Sequence, residues 1–207
     1  MEFLEILLII LSSAGLLHGV LFALYLCIFK KKKTLTNLLL GLLLIFMAFR
    51  IGKSVMLYFG DDLEPIFIFA GLAILLLIGP LLRWYVLGMT RPAFELSKQH
   101  YFELIPFVLV FIASLFVTKE WFESSNRVII IFATGLIFIY LHLAFYIVLS
   151  WKTIRRVKKA RQTTLQTKSQ RAVLEWLHYL IIGLAVIWVT YVLNILDDAV
   201  PYVVGPL

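Results

Sequence analysis

The chain has 207 residues, of which 62% are hydrophobic and only 15% charged. Charged residues make up about a quarter of an ordinary soluble domain, so this balance excludes a water-soluble globule and asks for a bilayer as solvent. The formal net charge is +7, and the single cysteine, Cys27, excludes an intrachain disulfide.

Length is therefore counted in membrane crossings, each needing about 20 mostly apolar residues to span roughly 30 Å. Six segments qualify: Phe3–Phe29, Leu35–Tyr58, Ile66–Val86, Tyr101–Val117, Val128–Leu149 and Leu177–Leu196. Backbone groups inside hydrocarbon must bond to each other, and the alternation of outer-membrane strands is absent, so the spans are predicted to be helices. The fold class expected is all-α, a polytopic transmembrane bundle over residues 1–207.

The first segment carries Glu2 and Glu5 where a signal peptide would be basic, and reads as a retained helix. Within it, GLLHG places Gly15 and Gly19 on one face, which lets another helix approach closely. Contact inside the bundle is the first reading and a homodimer seam the second. His18 lies in the same stretch. The second segment holds Arg50 and Lys53, three residues apart and so on one helical face. A charge at membrane depth costs about 2.5–3.5 kcal/mol on insertion scales, so the pair needs compensation. Snorkelling towards Asp61, Asp62 or Glu64 would supply it, and so would a pocket for an anionic or polar ligand.

In the third segment Pro80 removes a backbone hydrogen bond, making Gly79 and Pro80 the candidate kink or hinge, with Trp84 and Tyr85 as interfacial anchors. The fifth contributes His142, at a depth similar to His18. Both histidines read first as packing residues and second as ligand or proton-sensing groups. Two histidines fall short of a metal site, so no metal and no cofactor is expected. Glu103 and Glu175 show no partner in the sequence. The connection Trp151–Arg171, WKTIRRVKKARQTTLQTKSQR, is strongly basic, as expected of a loop held beside anionic lipid. HExxH, GxSxG and P-loop patterns are missing, and nothing asks for an enzyme.

Most of the 19 lysines and arginines fall between segments one and two, three and four, or five and six. Positive loops stay cytoplasmic, which predicts the N-terminus outside. Six crossings then return the chain outside at Asp197. The tail DDAVPYVVGPL echoes the DDLEPIFIF that opens the third segment, with Pro201 suited to the first turn of a helix. The start of a seventh helix is expected there, and a short outer tail is the alternative.

Three stretches carry a resemblance: GLLHGVLFALYLCIFKKKKTLTNLLLGLLLIFMAFRIGKSVMLYF (Gly15 to Phe59), LIGPLLRWYV (Leu77 to Val86) and HYFELIPFVL (His100 to Leu109). In order and spacing they resemble bacterial membrane-bound AraC-type regulators. In that family seven membrane helices precede a cytoplasmic helix-turn-helix domain. Glu103 stands where related sequences tend to have histidine. No helix-turn-helix segment is present, so no DNA-contacting residue is carried over. The resemblance implies a sensory membrane domain in the bacterial inner membrane, responding to a small molecule or envelope signal. It would reach DNA only through a C-terminal domain beyond this chain. A small transporter or channel is the alternative.

Overall fold

A computed structural model describes residues 3–31, 34–59, 65–91, 93–120, 127–161 and 168–196. Among the described residues every regular element is helical. Helix α1 (Phe3–Leu24) runs into a π-helical turn (Tyr25–Phe29), followed by α2 (Leu35–Phe59) and α3 (Pro65–Thr90). A short α4 (Lys98–Tyr101) and a 3-10 turn (Phe102–Leu104) lead into α5 (Ile105–Ser114), then α6 (Arg127–Arg161) and α7 (Lys168–Leu196). Among the described residues four stretches are long and apolar enough to cross a membrane: Leu35–Lys53, Pro65–Thr90, Ile130–Ala160 and Lys168–Thr190. Ser13–Phe29 is a shorter apolar helix. The chain is thus a helical membrane bundle. The tail Ala199–Leu207, where a seventh helix is expected, lies outside the described residues.

Helix α3 is the centre, with α2, α5 and α6 all packed on it. Its sequence is apolar all round, PIFIFAGLAILLLIGPLL, and a helix with no polar face belongs inside. Leu76, Ile78, Leu82 and Val86 are almost wholly enclosed. Helix α1 packs on α2, and α7 on α6. The Trp188 indole N–H fastens that last pair by donating to the Tyr140 carbonyl at 2.9 Å. Leu17, Leu21, Ile137, Leu141 and Val186 point outward, the surface that hydrocarbon would cover.

Three departures from the sequence reading have physical causes. The segment Tyr101–Val117 is not one helix. Pro106 sits in the first turn of α5, where its missing N–H costs nothing, and the chain ahead of it tightens into a 3-10 turn. After Ser114 the backbone closes in i to i+3 bonds from Leu115, Phe116 and Val117. Helices α6 and α7 also extend well past their apolar cores into the basic connection, because Lys, Arg and Gln are good helix formers in water. At 35 residues α6 is about 52 Å long, well beyond the hydrocarbon thickness. Finally, Trp84 and Tyr85 are buried rather than lying at a lipid interface. The Tyr85 hydroxyl accepts the Trp176 indole N–H at 3.0 Å, which ties the start of α7 to α3.

Candidate functional site

Arg50 and Lys53 both turn inward, at 4% and 8% exposure. Gly71 of α3 makes the room. A Cβ there would collide with Lys53 Cδ and lie 3.4 Å from Cε, so the lysine stem rests on bare helix backbone. One turn away along α2, the charge of Arg50 acts directly on Lys53. Two like charges on the enclosed face of α2 repel, and each carries a desolvation cost. The Lys53 stem is packed between helices instead of extended towards a surface. Asp61, Asp62 and Glu64, the carboxylates expected to help, lie outside the described residues.

A second polar group gathers one turn beyond Pro80. Arg83 of α3 donates from Nη1 to Glu103 Oε1 at 2.6 Å, joining the centre of the bundle to the 3-10 turn ahead of α5. The carboxylate is only 15% exposed and the guanidinium 34%. Tyr146 of α6 lies against both charges, and its ring packs over Gly79. His142, one turn back along α6, has its ring centroid 4.9 Å from that of Tyr146, and Ser150 follows one turn on. His142, Tyr146 and Ser150, at i, i+4 and i+8, form a polar stripe on one helix face. Among the described residues His142 Nδ1, Glu103 Oε2, Ser150 Oγ and Trp84 Nε1 are buried without a hydrogen-bond partner. Buried polar atoms are normally satisfied, so each of these has capacity for a bond to water.

The two histidine candidates are not brought together. His18 is exposed on α1, which packs on α2, whereas His142 belongs to α6, which packs on α3. Among the described residues no group of three His, Cys, Asp or Glu side chains is placed to hold a metal. Gly79 and Pro80 are both buried within an uninterrupted helix, and at Gly79 α3 lies in close contact with Tyr146 of α6. Of the glycine pair, Gly19 faces Ala48 of α2 while nothing lies within 4 Å of a Cβ at Gly15. Comparison with protein families, curated proteins and solved structures finds no match to this chain.

Sequence reading missed Arg83, Tyr146 and Ser150 and left Glu103 without a role. Glu103 carried the usable signal, a lone carboxylate inside FELIPFVL. A charge in so apolar a context asks for a cation, and Arg83 lies in the preceding segment, 20 residues back.

Proposed function

We propose that this chain is the membrane-embedded signal-input domain of an AraC-type transcription regulator, anchored in a bacterial inner membrane with six crossings and the N-terminus outside. The observation that carries the reading is the enclosed Arg50–Lys53 pair against Gly71. Two enclosed cations on one face of α2 make its packing on α3 sensitive to the anion that neutralises them. An anionic ligand that binds one packing better than another shifts the population between them, which is what an input domain must do. A helix after Leu196 would pass that bias to a cytoplasmic DNA-binding domain, the route by which this protein would reach DNA.

The ligand test uses detergent-purified protein with inorganic phosphate and short carboxylates as probes. At about a hundredfold excess over Kd, binding to the folded state stabilises it by about 2.7 kcal/mol, a shift readable in thermal unfolding. Arg50→Gln combined with Lys53→Gln is expected to abolish that shift. Equal shifts in both proteins would rule out binding at the pair. Sidedness is tested separately by cysteine labelling in a Cys27→Ser background. A cysteine at Gln166 should react with an impermeant maleimide only after cells are opened, and one at Glu2 in intact cells. Labelling of Gln166 from outside would reverse the signalling direction.

A small transporter is the second reading. It is favoured by the convergence of Arg83, Glu103, Tyr146 and His142 from three parts of the chain beside Pro80, the kind of polar focus that substrate sites in transporters use. Substrate-dependent uptake into liposomes containing only this protein would select it over the input-domain reading.

A further inference from the structure

The seam between α6 and α7 carries two adjoining recesses of opposite character. At the basic end, a pocket of about 290 Å³ is rimmed by Lys158, Arg171, Glu175 and His178, over a floor of Ile154 and Leu174. Further along the same two helix faces lies an apolar groove of about 480 Å³, lined by Ile147, Trp151, Ile181, Ile182 and Val186 among others. The recesses share a wall, because the His178 ring of the pocket stacks on the Trp151 ring of the groove at 4.7 Å between centroids. Arg155 reaches over the same tryptophan, its guanidinium 5.9 Å from the ring centroid.

We infer that this seam is a binding site for one anionic phospholipid, its phosphate in the basic pocket and an acyl chain in the groove. Three features point to an amphiphile rather than a free anion. The polar and apolar recesses are continuous and lie in the order a lipid requires, head at the basic end. From His178 to Thr190, the far end of the groove, α7 rises about 18 Å, on the order of the 15 Å depth of one leaflet. The rim is charged where the groove is almost bare of polar atoms, so a soluble phosphate would leave the groove unfilled and a plain hydrocarbon would leave the basic pocket unmatched.

Charge selects the headgroup. Lys158 and Arg171 face the pocket, and the carboxylate Glu175 is engaged by Arg171, Nε to Oε1 at 3.5 Å. The two side chains of that pair are 77% and 63% exposed, so Arg171 stays free to turn to a phosphate approaching between Lys158 and His178. Basic pockets between membrane helices at the headgroup level are suited to anionic lipid for this reason. The inference requires only that the α6–α7 seam lie in a bilayer; it does not depend on the regulator reading or on sidedness.

Native mass spectrometry of the detergent-purified full chain tests it, with phosphatidylglycerol and phosphatidylcholine of matched acyl chains as probes. The intact protein should retain one phosphatidylglycerol in roughly tenfold preference, as expected of two basic side chains meeting an anionic headgroup. Lys158→Gln with Arg171→Gln should bring the preference below about twofold. Lys152→Gln with Lys159→Gln removes the same charge from residues that do not line the pocket and should leave the preference intact. Ala185→Trp, which fills the groove without touching charge, should weaken retention of both lipids. Equal retention of the two lipids by the intact protein, or equal loss in both double variants, would refute a built site. A thermal shift from glycerol 3-phosphate matching that from phosphatidylglycerol would assign the pocket to a soluble anion and overturn the lipid. Micelles have no sides, so a failure of the orientation test leaves this result unaffected.

Discussion

Arg83→Met is expected to destabilise the bundle by about 2–3 kcal/mol, below the roughly 3–5 kcal/mol typical of breaking a fully buried ion pair. The discount follows from exposure, since a third of the guanidinium is accessible while the carboxylate is 15% exposed. What remains after the substitution is the costly part. Glu103 stays enclosed on its 3-10 turn, stripped of the Arg83 donor and its positive charge, with the Tyr146 hydroxyl as the polar group left beside it. Glu103→Gln keeps a carbonyl oxygen for Arg83 and should cost only about 1 kcal/mol, the scale of one net hydrogen bond. Arg83→Met with Glu103→Leu removes both charges and should recover most of the stability, because apolar replacement of an enclosed pair is often neutral. A double-mutant cycle by thermal unfolding in detergent should therefore give a coupling of about 2 kcal/mol, within the range for residues in contact. Additive single effects would mean that the two residues do not rely on each other.

That pair also marks the border of what could be read in advance. Apolar length located α2 and the start of α3 almost residue for residue, since Leu35–Tyr58 and Ile66–Val86 were bounded by charge and proline at the points where the helices begin, but α3 runs past Val86 to Thr90. The same criterion cut α6 short at Leu149, because a helix that leaves the bilayer continues on charged residues which no apolarity count includes. It also fused the 3-10 turn, α5 and the turn after Ser114 into one span, although Pro106 was a visible reason for a helix to start there. Spacing put Arg50 and Lys53 on one face, but that face's neighbour, Gly71, is set by packing between helices. His18 and His142 show the general limit. Their positions along the chain gave similar depths, whereas the direction each side chain points around the bundle is a tertiary property. The π turn at Tyr25–Phe29, closed by Lys30 N–H to the Tyr25 carbonyl at 2.9 Å, has no sequence signal that we can identify.

Gly79→Val is expected to destabilise the bundle by about 1–3 kcal/mol through overpacking, with Tyr146 as the group that must move. A Cβ at Gly79 would lie 2.7 Å from Tyr146 Cδ2, 3.0 Å from Cγ and 3.1 Å from Cβ. The last distance is decisive. The ring can swing about χ1, but the tyrosine Cβ is fixed to α6, so the two helices must separate or slide. Either motion draws Tyr146 away from Arg83 and Glu103 and links the glycine contact to the ion pair. Tyr146→Phe keeps the same ring carbons and should not relieve Gly79→Val, whereas Tyr146→Ala removes the ring but keeps the Cβ and should relieve it only in part. Gly135→Ala is the control. Nothing lies within 4 Å of a Cβ there, so the substitution should stabilise α6 by roughly 0.5–1 kcal/mol through helix propensity alone. If Gly79→Val and Gly135→Ala behaved alike in thermal unfolding, α3 and α6 would not be in close contact at this level. A Gly79→Val cost relieved in part by Tyr146→Ala and not by Tyr146→Phe would instead identify Gly79–Pro80 as a packing seat for α6.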